Sequence, residues 1–207
     1  MTGTLDMRVL ELLAARLCHE LIGPVSAVNN GVEVVAEGDA EFAAQAVKLV
    51  EDSARRAGAR LQFYRFAYGF TPGGRFSGPP PHELASGYFG ATPIACEYDD
   101  GARALPLEWQ KLGCNLLLVG AEALPRGGSL ALRTAPAALD LTVSGGAAAL
   151  TPDMEAAIGL RCPVTELSTR TVQGYFTGLL AQALGCRLAS APAGPGSFRV
   201  TATAPAA

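Results

Sequence analysis

Two runs of apolar residues at helical spacing decide what the first third of this 207-residue chain can become. In the first, Leu10, Leu13, Leu17, Leu21, Val25, Val28, Val32 and Val35 recur every three or four residues. That spacing gathers side chains on one face of an α-helix. Successive steps of four between Leu13 and Val25 put a stutter into an otherwise heptad-like seam. In the second run, Ala43, Val47, Val50, Ala54, Ala57, Leu61, Tyr64 and Tyr68 alternate steps of four and three without a break. Gly38-Asp39 makes the turn between them. Two amphipathic helices joined in this way form a hairpin, which cannot enclose a core of its own. Pairing with a second copy covers both seams, so the pattern predicts a homodimer built on a four-helix bundle.

The rest of the chain has a different character. Residues 1–70 hold one of the 14 prolines and six of the 24 glycines, and residues 71–81 read as a Pro/Gly linker. Beyond it, helices are expected over 83–89, 106–119, 153–160 and 171–184. Strands are expected over 94–98, 130–134, 139–143, 187–189 and 198–202. Helices on one face of a mixed sheet make an α+β layer arrangement. The domain reading is therefore a helical-hairpin dimerisation domain at 1–70, a linker at 71–81 and a compact module at 82–207.

Composition removes several function classes. At 49% hydrophobic and 17% charged the chain can bury a core, and its net charge of −3 gives no unspecific grip on nucleic acid or an anionic membrane. The longest uncharged stretch, 171–186, falls short of the ~18 apolar residues of a membrane span. No leader pattern opens the sequence. Five cysteines, none at metal-site or CxxC spacing, point to a reducing, cytoplasmic setting. With two histidines a histidine-rich metal site is not expected.

One of those histidines is out of place. His19 lies about 200° around the helix from both Leu17 and Leu21, opposite the seam. An exposed imidazole at mid-helix has no packing duty; it is either an incidental surface residue or a nucleophile. As a nucleophile its free nitrogen could attack phosphorus and hold the group as a phosphoramidate. Pro24, five residues on, removes a helix hydrogen bond, at about 3 kcal/mol unless compensated, and frees a carbonyl one turn back. The stutter falls in the same segment.

These residues, His19-Glu20-Leu21-Ile22-Gly23-Pro24-Val25, resemble the H-box of two-component histidine kinases, His-Glu-Leu-x-x-Pro-Leu. The resemblance implies a dimeric hairpin in which His19 is the phosphorylation site. The second half resembles the ATP-binding (GHKL/Bergerat-type) α/β sandwich of those kinases. Asn115 and the Pro125-Arg126-Gly127-Gly128 end follow the kinase N-box. Val119, however, stands where a magnesium-binding Asn belongs, and Glu122 where a Lys belongs. Valine cannot ligate Mg²⁺. Gly145-Gly146-Ala147-Ala148-Ala149 replaces the Asp-x-Gly-x-Gly that would read adenine, and no glycine-rich phosphate loop precedes the helix at 171–184.

The whole is similar to the dimeric histidine phosphotransferases of α-proteobacteria, most closely over 18–34. That resemblance implies a phosphotransfer protein, not an ATP-dependent kinase. It would pass phosphoryl groups between the receiver domain of a hybrid histidine kinase (CckA-like) and response regulators (CtrA-like, CpdR-like) in cell-cycle control. The chain would carry no cofactor of its own, Mg²⁺ being supplied by the partner's receiver. His19 would be the acceptor, and Glu20 could orient its ring. Arg16, Gly23, Ser26, Ala27 and Asn30 share its face at helical spacing and would form the docking strip. Gly23 occupies the place of the Thr or Asn that orients water in kinases with phosphatase activity, so directed hydrolysis should be weak.

An active kinase with an unorthodox nucleotide site and a non-catalytic dimeric scaffold are the alternatives. A Cys18–His19 pair is disfavoured because adjacent helix residues diverge. His82 reads as a linker or cap residue. Arg55, Arg56, Arg60 and Arg65 read as a solvated helix face.

Overall fold

The computed structural model describes residues 6–37, 40–69, 76–135 and 138–204. Helices α1 (Met7–Ala36) and α2 (Ala40–Ala67) form the hairpin; the turn expected at 38–39 lies outside the described residues. Asp6 caps α1, its carboxylate accepting from the Arg8 amide at 2.9 Å. Gly31 marks the close approach of the two helices: a Cβ there would sit 2.6 Å from Val50 Cγ2. Asn29-Asn30-Gly31, a turn signal in isolation, is accordingly helical.

The hairpin is not one seam against one seam. Ala46 and Ser53 are buried on α2, while Leu10, Val25, Val32, Val47 and Leu61 remain largely exposed. The first turns of α1 turn elsewhere. Val9 and Leu13 pack with Ala157, Leu167 and Val172 of the second half. Val9 is therefore buried and Leu10 is not, because this end of α1 lies against the module and not against α2. The last turns of α2 behave alike: Phe63, Tyr64, Phe66 and Ala67 belong to the module's main core.

The module runs α3 (Pro81–Phe89), β1 (Ile94–Tyr98), α4 (Asp100–Arg103), α5 (Leu107–Glu122), β2 (Gly128–Ala135), β3 (Ala138–Ser144), α6 (Pro152–Ile158), a 3₁₀ turn (Val164–Glu166), α7 (Val172–Ala183), β4 (Arg187–Gly194) and β5 (Ser197–Thr203). The sheet order is β1-β2-β3-β5-β4. β1 is parallel to β2 and every other pair is antiparallel. Strand alternation gives the sheet one apolar face, with Leu130, Leu132, Leu139, Leu141, Val143 and Val200 buried. The opposite face carries ion pairs such as Arg199–Asp140 at 3.3 Å and Arg133–Glu97 at 2.7 Å.

Helix α5 lies on the apolar face and is buried from Leu112 to Gly120. Two glycines let it approach: a Cβ at Gly113 would meet Leu132 at 2.8 Å, and one at Gly120 would meet Leu130 at 2.7 Å. The α+β arrangement read from the sequence is the one found; α4 and the 3₁₀ turn were not anticipated.

Candidate functional site

His19 projects from α1 into solvent, and among the described residues its ring has no hydrogen-bond partner. One turn on, Gly23 is exposed, and a Cβ built on it would meet nothing within 4 Å. Ser26 and Asn30 are exposed and Ala27 is half-buried. The surface beside the imidazole is thus low and open over about two turns.

Arg16, expected on the same strip, is placed differently. It is only 7% exposed. Its Nη2 lies 2.5 Å from Glu122 Oε1, and its Nη1 donates to the Thr169 carbonyl at 3.3 Å. Burial alone would lower the pKa of this guanidinium. The charge of Glu122, with smaller help from Tyr68, more than reverses that and raises it. The physical reason for the placement is that α1 meets the module here, and only beyond this turn does the face of His19 run free.

Glu20 is also engaged elsewhere. Its carboxylate lies 3.1 Å from Arg60 Nη1 on α2, and the same Nη1 donates to the Glu20 backbone carbonyl at 2.5 Å. The carboxylate is thus directed across the hairpin and not onto the ring of His19. Arg60, read from sequence as part of a solvated face, keeps only 28% of its side chain exposed. One sequence signal could have found it. Reflecting position 20 through the turn that the sequence predicts at 38–39 lands within one helical turn of Arg60.

Two of the positions at which the kinase resemblance would place nucleotide contacts, 119 and 145, are closed off. Val119 is fully buried against Met154 and Ile158. Gly145, where the adenine-reading acid would stand, has no room for a side chain: a Cβ would be 2.6 Å from Leu124 Cδ2 and 3.1 Å from the Gly127 carbonyl. The segment before α7, where a phosphate loop would lie, is pinned to α1. Leu167 packs beside Val9, and the Leu167 carbonyl accepts from Arg8 at 3.1 Å.

Asn115, the N-box residue that persists, has a structural partner. Its Nδ2 donates to the Ala67 carbonyl at 2.8 Å, satisfying the otherwise orphaned C-terminus of α2. Lys111 Nζ donates to the Gly69 carbonyl beside it. Gln173 Nε2 donates to Asn115 Oδ1 at 3.0 Å, and Gln173 Oε1 accepts from the Tyr68 hydroxyl. Burial raises the Tyr68 phenol to about 12.

A cleft of about 570 Å³ remains between α1 and the module, walled by Arg16, Glu20, Glu122, Asp153 and Arg170. Glu122 is paired with Arg16 and Glu20 with Arg60, which leaves Asp153 beside Arg170 and no excess of positive charge for a triphosphate. A second groove of about 530 Å³ runs between the helices and is lined mainly by Leu17, Leu21, Leu61, Tyr64 and Tyr68. Among the described residues no cluster of three or more His, Cys, Asp or Glu is disposed to hold a metal. No described helix is long and apolar enough to cross a membrane. All five thiols are free.

Comparison with known proteins agrees with this geometry. The family model described as histidine phosphotransferase C-terminal domain matches residues 81–206. The protein phosphotransferase ChpT of Brucella abortus (strain 2308) is 36% identical over 183 residues, covering 86% of this chain and 87% of that protein. A bacterial phosphotransferase solved at 1.7 Å superposes with a TM-score of 0.80 at 33% identity, covering 97% of this chain and 98% of the other.

Proposed function

From membership of the histidine phosphotransferase family, to which this chain belongs, we propose that His19 is the phosphoryl acceptor and that a partner supplies everything else the reaction needs. The chain is a phosphorelay phosphotransferase, and its partners are two-component proteins. The finer reading is that a receiver domain carrying an aspartyl phosphate docks along Gly23, Ser26, Ala27 and Asn30. A ring nitrogen of His19 attacks phosphorus in line. The P–N bond forms, the P–O bond to the aspartate breaks, and the aspartate leaves as a carboxylate. Transfer to a response regulator is the same step reversed on a second aspartate. Mg²⁺ belongs to the receiver's acidic pocket. Positioning and charge neutralisation provide most of the catalysis in phosphoryl transfer, so this chain need offer only a well-held, accessible nucleophile.

The observation that carries the reading is the open surface beside an exposed His19, where Gly23 leaves free space. The filled positions at Val119 and Gly145 favour a chain that takes its phosphoryl group from a protein and not from ATP. The exposed apolar residues of the hairpin support a homodimer, and the free thiols a cytoplasmic setting. Mixing the protein with a phosphorylated receiver should move the label to His19 within the encounter time, and labelled ATP alone should leave it unlabelled. Transfer to a His19→Ala protein at the wild-type rate would overturn the assignment.

A further inference from the structure

Pro24 leaves one acceptor of α1 without its helical donor. A helix pairs each carbonyl with the amide four residues on, and the residue four beyond Glu20 is the proline, which has no N–H. The orphaned group is therefore the Glu20 carbonyl, on the peptide just past His19. It is the group that Arg60 Nη1 reaches from α2, at 2.5 Å. The same nitrogen lies 3.1 Å from Glu20 Oε2, so one charged donor holds both the backbone and the side chain of the residue next to the nucleophile.

We propose that Arg60 is a positioning residue for phosphoryl transfer, restraining the α1 backbone at His19 by taking up the carbonyl that Pro24 orphans. This rests on the reading of His19 as acceptor. A proline inside a helix opens a joint about which it can bend, and His19 is the residue just before the one whose carbonyl Pro24 leaves free. Charge-assisted bonds to a carbonyl are among the stronger ones a side chain can make, and this one crosses to a helix that is itself fixed. One turn beyond Arg60, Tyr64 is 4% exposed, and its hydroxyl is bonded to that of Tyr88 in α3 at 2.9 Å. The restraint thus runs from His19 through Glu20 and Arg60 to the core of the module. Arg60 touches no reacting atom; it fixes where the imidazole points when the receiver arrives.

The test is single-turnover transfer from a phosphorylated receiver to the full-length protein across receiver concentrations. Arg60→Ala should lower the saturating rate about 10-fold, since misplacement near 1 Å can cost about 100-fold. The half-saturating receiver concentration should stay unchanged, because the docking strip is intact. Arg60→Lys, which keeps a charged donor, should stay within about 3-fold of wild type and serves if the alanine variant folds poorly.

The decisive comparison is made in Pro24→Ala protein, where residue 24 again offers an amide to the Glu20 carbonyl. There the Arg60→Ala penalty should shrink below about 3-fold. A merely structural ion pair with the Glu20 carboxylate would leave the penalty undiminished, and that result, or a wild-type saturating rate in Arg60→Ala, overturns the proposal. Label found on a residue other than His19 in the wild type would instead overturn the acceptor reading.

Discussion

Val25, Val32, Val47 and Leu61 on the hairpin are between 45% and 54% exposed, whereas Leu112, Leu116, Leu117 and Val119 on α5 of the module are no more than marginally accessible. Both sets are aliphatic residues at helical spacing, so periodicity alone does not separate them. The difference lies in what arrives later. A hairpin has two layers at most, and its outer apolar faces stay uncovered within one chain. The module has a sheet to lie on, and its core has closed over Val119 and crowds Gly145. Polar residues follow the same division: His19 and Asn30 are left to solvent, while Asn115 and Gln173 are consumed in holding α2.

The comparison can be broken most severely at the hairpin. Leu61→Glu puts a charge on the open apolar groove, twice over in a symmetric dimer. It should weaken self-association at least about 1000-fold, taking burial of two leucines and desolvation of two carboxylates together. Light scattering at micromolar concentration should then read 21.3 kDa instead of twice that mass. A wild-type protein that already reads as a monomer would remove the premise.

The module is tested by Val119→Asn, which restores the kinase residue. Because Val119 is fully buried among Met154 and Ile158, the amide has no partner and unfolding stability should fall by about 3 kcal/mol. Calorimetry should still show ATP binding no tighter than about millimolar, since Gly145 continues to exclude the adenine-reading side chain. Micromolar affinity in this variant would mean that the site is merely disarmed and not filled.

The smallest effect is expected at Gly23→Arg. The side chain enters open space, and exchanging a helical glycine for arginine gains up to about 1 kcal/mol in helix stability. Dimer mass and unfolding should therefore be unharmed, while bulk beside His19 should slow transfer about 100-fold. Unimpaired transfer would move the docking surface elsewhere.

Much of this division could be read from residues alone, for reasons that also mark where reading stopped. The 100° step placed His19 away from the apolar seam, and it is exposed. Alternation bounded by turn residues located β1 at its full extent. Periodicity names a face but not the neighbour that covers it. Val9 therefore took the buried place assigned to Leu10, and Arg16 went to a partner 106 residues away. No local pattern encodes such a pair. The one-turn helix α4 and the 3₁₀ turn are too short to show a period. Arg60 was misread because its neighbours on α2 are also arginines, and only the fold distinguishes the one that faces Glu20.

The fastening of α2 by Asn115, Lys111 and Gln173, with Arg16 tied to Glu122, has a consequence for the direction of signalling. A protein that takes a phosphoryl group from its own nucleotide must bring one part against another, and the consumption of that nucleotide gives the traffic a sense. On the reading of a phosphotransferase that takes no nucleotide, these ties leave no such stroke to drive. On that reading it would equilibrate with whichever receivers surround it, and the flow of phosphoryl groups would run downhill from the fuller pool to the emptier one. Command over that flow would then rest with the proteins at either end.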